Sequence, residues 1–166
     1  MLLRTYDDQV CSIARALEVV GERWSLLIVR DAFLGLSRFE QFQDSLGIAR
    51  NVLANRLAQL VRAGVFERVR YQQHPERFDY RLTPMGRQLF VPVLALMQWG
   101  DEHLAGPLGP PRVAQHTVCG GELRAGLTCQ QCQLSVPAHQ VKVVPGPGHD
   151  PSESQDTNTD AAPRIV

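Results

Sequence analysis

Between Arg38 and Thr83 the chain runs RFEQFQDSLGIARNVLANRLAQLVRAGVFERVRYQQHPERFDYRLT, and its apolar period changes twice over that distance. Phe39, Phe42 and Leu46 give the first part a helical apolar face, and Gly47 is suited to the left-handed conformation that ends a helix before a tight turn. Leu53, Leu57 and Leu60 then recur at i, i+4 and i+7, so one face of a second helix packs on a core. Gly64 closes it. From Val65 to Gln72 the pattern is strand-like, with Val65 or Phe66, Val69 and Tyr71 as the apolar members. Pro75 interrupts it, after which Phe78, Tyr80 and Leu82 alternate with Asp79 and Arg81 in a period of two, placing the tip of a hairpin at Gln73–Arg77.

Helix, tight turn, helix and hairpin in that order specify a mainly α (α+β) winged helix-turn-helix, which lays its second helix in a DNA groove. Rotating about 100° per residue from Leu53 places Asn51, Asn55, Ala58 and Arg62 on the opposite face, with Arg50 beside them in the first turn. Asparagine pairs with the N6/N7 edge of adenine and arginine with the O6/N7 edge of guanine, while alanine admits a thymine methyl. On the hairpin, Arg68, Arg70 and Arg77 suit phosphates or a narrow minor groove. With Arg38 these are the candidate DNA contacts. Residues 36–87 hold nine arginines against five acidic residues, although the whole chain balances seventeen basic against seventeen acidic side chains. A basic reader in a neutral chain favours DNA. The alternative is a non-catalytic protein-interaction module, since winged helices serve that role too.

On either side lie elements that read as scaffold. Asp7 or Asp8 caps a helix with a Val10, Ile13, Leu17 and Val20 stripe, and a second helix runs from Trp24 to about Leu34 with Trp24, Leu27, Ile28 and Ala32 on one face. After the hairpin, Thr83-Pro84 starts a long helix to about Leu104, with Met85, Leu89, Val93, Leu96 and Met97 apolar and a kink at Pro92. So small a domain cannot bury that helix alone. A second copy is the expected cover, giving a two-fold dimer with reading helices about 34 Å apart; the other arrangement folds the helix onto its own domain. No apolar run approaches the roughly 20 residues of a membrane span, and the N-terminus lacks a secretory pattern, so a cytoplasmic location is expected. Glycine-rich phosphate loops, nucleophile elbows and HExxH are absent, which argues against an enzyme.

Past the linker at 106–114, His116-x2-Cys119-x9-Cys129-x2-Cys132 offers two closely spaced ligand pairs. In a reducing compartment this suggests a small structural zinc knuckle or ribbon at 115–144, with His139 or water as other sources of the fourth ligand. The rival is a redox pair, Cys129 with Cys132, and hence a thiol oxidoreductase, although no thioredoxin-like context surrounds it. Residues 145–166 are polar and proline-rich, as in disordered tails.

Several of these residues together resemble the HxlR-type regulators, relatives of the MarR group. The carriers are Cys11, Ala16-Leu17 and Val20-Gly21-Glu22-Arg23-Trp24, then Arg38-Phe39, Gly47-Ile48, Leu53, Arg56-Leu57, Leu60 and Gly64, and finally Arg68, Pro75, Tyr80-Arg81-Leu82-Thr83, Gly86 and Trp99-Gly100. They span roughly residues 5 to 104, the bounds of the winged-helix and dimerisation domain being set at 5–105. The resemblance implies a cytoplasmic homodimer that binds palindromic operator DNA, commonly as a repressor answering a chemical or redox stress. It also implies a small-molecule or electrophile effector, and marks Cys11 as the counterpart of a sensing cysteine. Arg15 four residues on and a helix N-terminus favour its thiolate; the competing role is a small buried residue at the dimer interface. The reading helix departs from the family: Ala49 and Arg50 replace serine and proline, and Asn51 stands where lysine is frequent. Its cap is therefore weaker, and the operator cannot be inherited.

Overall fold

Where the apolar residues recur at helical spacing the chain is helical, and where they alternate it pairs as a hairpin. The computed structural model describes residues 11–148, and the chain divides into two compact units, Met1–Ala114 and Gln115–Val166. The first unit contains α1 (Ser12–Val20), α2 (Ser25–Phe33), α3 (Phe39–Leu46), α4 (Arg50–Arg62), the antiparallel strands β1 (Phe66–Gln72) and β2 (Arg77–Leu82), α5 (Pro84–Arg87) and α6 (Phe90–Leu104).

Leu53, Leu57 and Leu60 of α4 are completely buried, together with Ile28 and Val29 of α2 and Phe42 of α3. Phe42 meets Phe66 edge to face, with centroids 6.4 Å apart. Each such side chain contributes about 1.5–3 kcal/mol through removal from water, so α2, α3, α4 and the hairpin base form one core. Gly47 takes φ 62° and lets α3 turn into α4 within three residues. Gly86 is required for a different reason: a Cβ there would lie 2.1 Å from the Val65 carbonyl oxygen. Beside it, the Thr83 hydroxyl accepts from the Gly86 N–H at 3.0 Å and donates to the Gly64 carbonyl, tying the start of α5 to the end of α4.

Local details depart from the sequence reading. Cys11 is the N-cap of α1 and not a first-turn residue; the proposed cap at Asp7 or Asp8 lies outside the described residues. The buried face of α2 is Ser25, Ile28, Val29 and Asp31, with Trp24, Leu27 and Ala32 at its half-exposed margins. Pro92 does not kink a continuous helix. Its ring would strike the carbonyl four residues earlier, at Gln88, and the chain breaks there into α5 and α6, leaving Pro92 in the first turn of α6, where no N–H is needed. The hairpin tip is shorter by one residue, because Arg77 already pairs with Gln72.

The second unit holds a short antiparallel pair, β3 (Leu127–Thr128) with β4 (Ser135–Val136), an isolated bridge between Gln115 and Glu122, and one 3-10 turn at Ala138–Gln140. The disordered tail expected from 145 falls largely outside the described residues.

Candidate nucleic-acid interface

Burial of Leu53, Leu57 and Leu60 fixes the rotation of α4, and the opposite face follows from it. Arg50, Asn51, Asn55, Ala58 and Arg62 are all exposed. Ala49 stands at the N-cap in extended conformation without a side-chain hydrogen bond, so the first N–H groups of α4 have no partner from the cap. Arg50 lies over the Phe39 ring, 4.7 Å from its centroid, which steadies a long side chain at the mouth of the turn.

The hairpin presents its arginines in unequal states. Arg68 covers the Phe78 ring at 3.8 Å, Arg70 is paired with Glu76 at 3.1 Å, and Arg77 is exposed beside the tip. Among the described residues Arg50, Arg62, Arg68 and Arg77 form no salt bridge. Arg56, by contrast, joins Glu22 at 3.1 Å and Gln59, linking α4 to the segment before α2. Membership of the basic stretch therefore does not by itself make an arginine available to DNA.

Asp79 is the residue that sequence reasoning missed. Strand alternation assigned it to the solvent side, yet it is 9% exposed. It accepts from the Ser37 hydroxyl at 3.4 Å and from Arg81 at 3.2 Å, and its carboxylate stands 3.7 Å from Arg38 Nε. Backbone pairing reinforces the contact: Tyr80 N–H donates to the Ser37 carbonyl at 2.7 Å, and Arg38 bridges Asp79. The entry to α3 thus acts as a third, minimal strand of the wing. Arg38 is also held over Tyr71, 4.7 Å from the ring. Gln41 completes the corner by accepting from the Ser37 and Arg38 N–H groups at 3.1 and 3.0 Å. The partners are 42 residues apart, and no local pattern signals them. Next to this corner an open cavity of about 510 Å³ is lined by Phe33, Leu36, Tyr80 and Leu82 among others. Its two guanidinium groups are engaged, Arg81 with Asp79 and Arg87 with the Leu82 carbonyl.

Outside the reader, Cys11 is exposed at the start of α1. In the second unit His116 Nδ1 lies 3.2 Å from Cys119 Sγ. The Cys129 thiol is held below its ordinary value, first by the Cys132 backbone N–H, then by that of Gln131 and the Cys132 thiol. The four candidate ligands thus stand as two pairs, and among the described residues no three His, Cys, Asp or Glu side chains gather around one point. His139 is exposed in the 3-10 turn. No described helix is long and apolar enough to cross a membrane.

The HxlR-like helix-turn-helix pattern matches residues 19–106. An uncharacterized HTH-type transcriptional regulator of Mycobacterium tuberculosis is 50% identical over 137 residues, covering 82% of this chain and 87% of its own. A match of that length cannot be confined to the first 114 residues and so extends into the second unit. Among solved structures, that of PA1607, a putative transcription factor, aligns with TM-score 0.75 at 36% identity over 85% of this chain and 99% of its own. The redox regulator HypR in its oxidized form aligns with TM-score 0.53 at 29% identity, over 58% of this chain and all of its own.

Proposed function

The chain belongs to the HxlR-like helix-turn-helix family and is a transcriptional regulator with a helix-turn-helix DNA-binding domain; from that premise we propose that it works as a homodimer that reads a palindromic operator and represses by occupying it. The observation that carries the proposal is the outer face of α4. Three fully buried leucines leave no freedom in its rotation, and the face they turn outward carries Arg50, Asn51, Asn55, Ala58 and Arg62. Two guanidinium groups and two carboxamides on one helix face are chemistry for base edges, whereas Arg38, Arg68, Arg70 and Arg77 suit the backbone.

The dimer rests on apolar surface that the first unit leaves uncovered. Ile13 and Leu17 of α1 and Val91, Leu96, Trp99 and Leu104 of α6 are all exposed. One side of α6 packs inward through Leu94 and the Phe33–Phe90 contact, with ring centroids 5.1 Å apart. Its other side has the composition of a protein interface. Two-fold pairing there sets the two α4 helices on successive major grooves, about 34 Å apart.

Response to oxidants or electrophiles through Cys11 is the regulatory part of the proposal. It is supported by the exposure of Cys11 and by the likeness to HypR, itself a redox regulator. The location this function requires is the cytoplasm.

The test is affinity for duplex DNA as a function of salt. A reader that neutralises several phosphates loses affinity steeply as salt rises, by a slope of about −0.9 per phosphate on logarithmic axes. A nearly flat dependence would instead favour the protein-interaction module, whose apolar contact is insensitive to salt.

A further inference from the structure

Two turns in the second unit share one hydrogen-bonding pattern. In the first, His116 N–H donates to the Gly121 carbonyl at 2.8 Å and Gly120 N–H donates back to the His116 carbonyl at 2.8 Å. In the second, Cys129 N–H donates to the Leu134 carbonyl at 3.0 Å and Gln133 N–H donates back to the Cys129 carbonyl at 2.9 Å. Both therefore pair residue i with i+5 and close i+4 onto i. Residue i+4 is left-handed in each, Gly120 at φ 72° and Gln133 at φ 59°. Gln133 is the one non-glycine residue with positive φ among those described, so the second turn keeps this shape against a steric cost. Positions i and i+3 are the candidate ligands in both: His116 with Cys119, and Cys129 with Cys132.

We propose that the second unit is a zinc ribbon in which these two turns grip one structural Zn²⁺ through His116 Nδ1 and the sulfurs of Cys119, Cys129 and Cys132. Within the first pair the ligand atoms are spaced for a shared ion. Zinc bonds of about 2.3 Å to sulfur and about 2.0 Å to nitrogen at a tetrahedral angle set the two atoms about 3.5 Å apart, and Nδ1 and Sγ are 3.2 Å apart. That contact also selects Nδ1 as the ligand, leaving Nε2–H to solvent. Three thiolates and an imidazole fill four positions, so the ion is structural and not catalytic.

A second observation points the same way. No described residue from 115 to 148 is buried; Val118 is 86% and Leu134 66% exposed. Strands of two residues and a single bridge cannot hold a unit of this size without a core, and small units of this kind rely on a metal or disulfides. A Cys129–Cys132 disulfide would use the second turn only and give the matching first turn no purpose. A metal uses both, drawing the two pairs onto one ion.

Metal analysis of the full-length chain, purified without a histidine tag, tests this. One zinc per chain is expected. Cys132→Ser should lose it while the helical circular dichroism of the first unit persists, and His139→Ala should keep it. His116→Ala should weaken zinc binding by more than about tenfold, and His116→Cys should restore it. With Co²⁺ as the probe, wild type should show tetrahedral d–d bands with thiolate charge transfer, and His116→Cys a stronger charge-transfer band from a fourth sulfur. A folded wild-type chain that takes up neither metal would overturn the proposal. So would loss of zinc from His139→Ala with none from His116→Ala, because the ligand set would then be wrong. Neither result touches the operator-binding proposal, which rests on the first unit.

Discussion

Replacing Asp79 by alanine probes the corner that holds the wing against α3. Breaking a buried ion pair costs about 3–5 kcal/mol when the surviving charge is stranded away from water. Here the survivors are Arg38 and Arg81, whose side chains are 55% and 57% exposed. Water rehydrates both once the carboxylate is gone, so each contact falls to the scale of a surface pair, about 0.2–1 kcal/mol. The Ser37 hydroxyl at 3.4 Å adds a long hydrogen bond worth no more than about 0.5 kcal/mol. The expected loss for Asp79→Ala is therefore about 1–2 kcal/mol, and about half that for Asp79→Asn, which keeps the shape and an acceptor for Ser37. Urea unfolding of the full chain measures it as a lower midpoint at unchanged slope. The difference should shrink in 1 M NaCl, where the screening length is about 3 Å. A loss above about 3 kcal/mol would show that the guanidiniums are in effect buried. One below about 0.3 kcal/mol would show that the corner does not depend on the carboxylate.

Other changes read other parts of the molecule. Leu57→Ala empties a fully buried site and should cost about 2–5 kcal/mol in the same urea assay; a loss under 1 kcal/mol would contradict its place in the core. In a binding assay across operator variants, Asn55→Ala should relax preference at one base position at a cost of about 1–3 kcal/mol, whereas Arg70→Ala should weaken all sequences alike and lower the salt slope by about 1. Equal effects of the two on every sequence would mean that the reading face is misassigned. Trp99→Glu sets a charge in the uncovered face of α6 and should convert dimer to monomer in sedimentation velocity; an unchanged dimer would place the interface elsewhere. Mild oxidant should release DNA from the wild type but not from Cys11→Ser, and identical responses in a mobility-shift assay would remove Cys11 from the sensing role.

The parts of the fold legible in the sequence were those written in repeating contacts. The leucine period of α4, Gly47 and Gly64 as stops, Thr83-Pro84 as a start and the alternation of β2 each depend on neighbours within a few residues. What escaped depends on partners far along the chain. Asp79 is buried because Ser37 and Arg38 reach it from the other side of the wing, and strand alternation alone assigns it to water. Arg56 reads as one more basic residue until Glu22 is seen beside it. The break before Pro92 was visible as a disturbance but misplaced, because a proline's clash falls on the carbonyl four residues earlier. In the second unit the spacing of His116, Cys119, Cys129 and Cys132 is legible in the sequence, whereas the matched hydrogen bonding of its two turns is a property of the backbone that residue names do not encode.

The most direct test of operator reading is selection from a random duplex library with the purified full-length protein. The account predicts enrichment of an inverted repeat whose half-sites lie about one helical turn apart, bound by two chains. Recovery of no sequence by a folded protein, or of a single half-site bound by one chain, would contradict it.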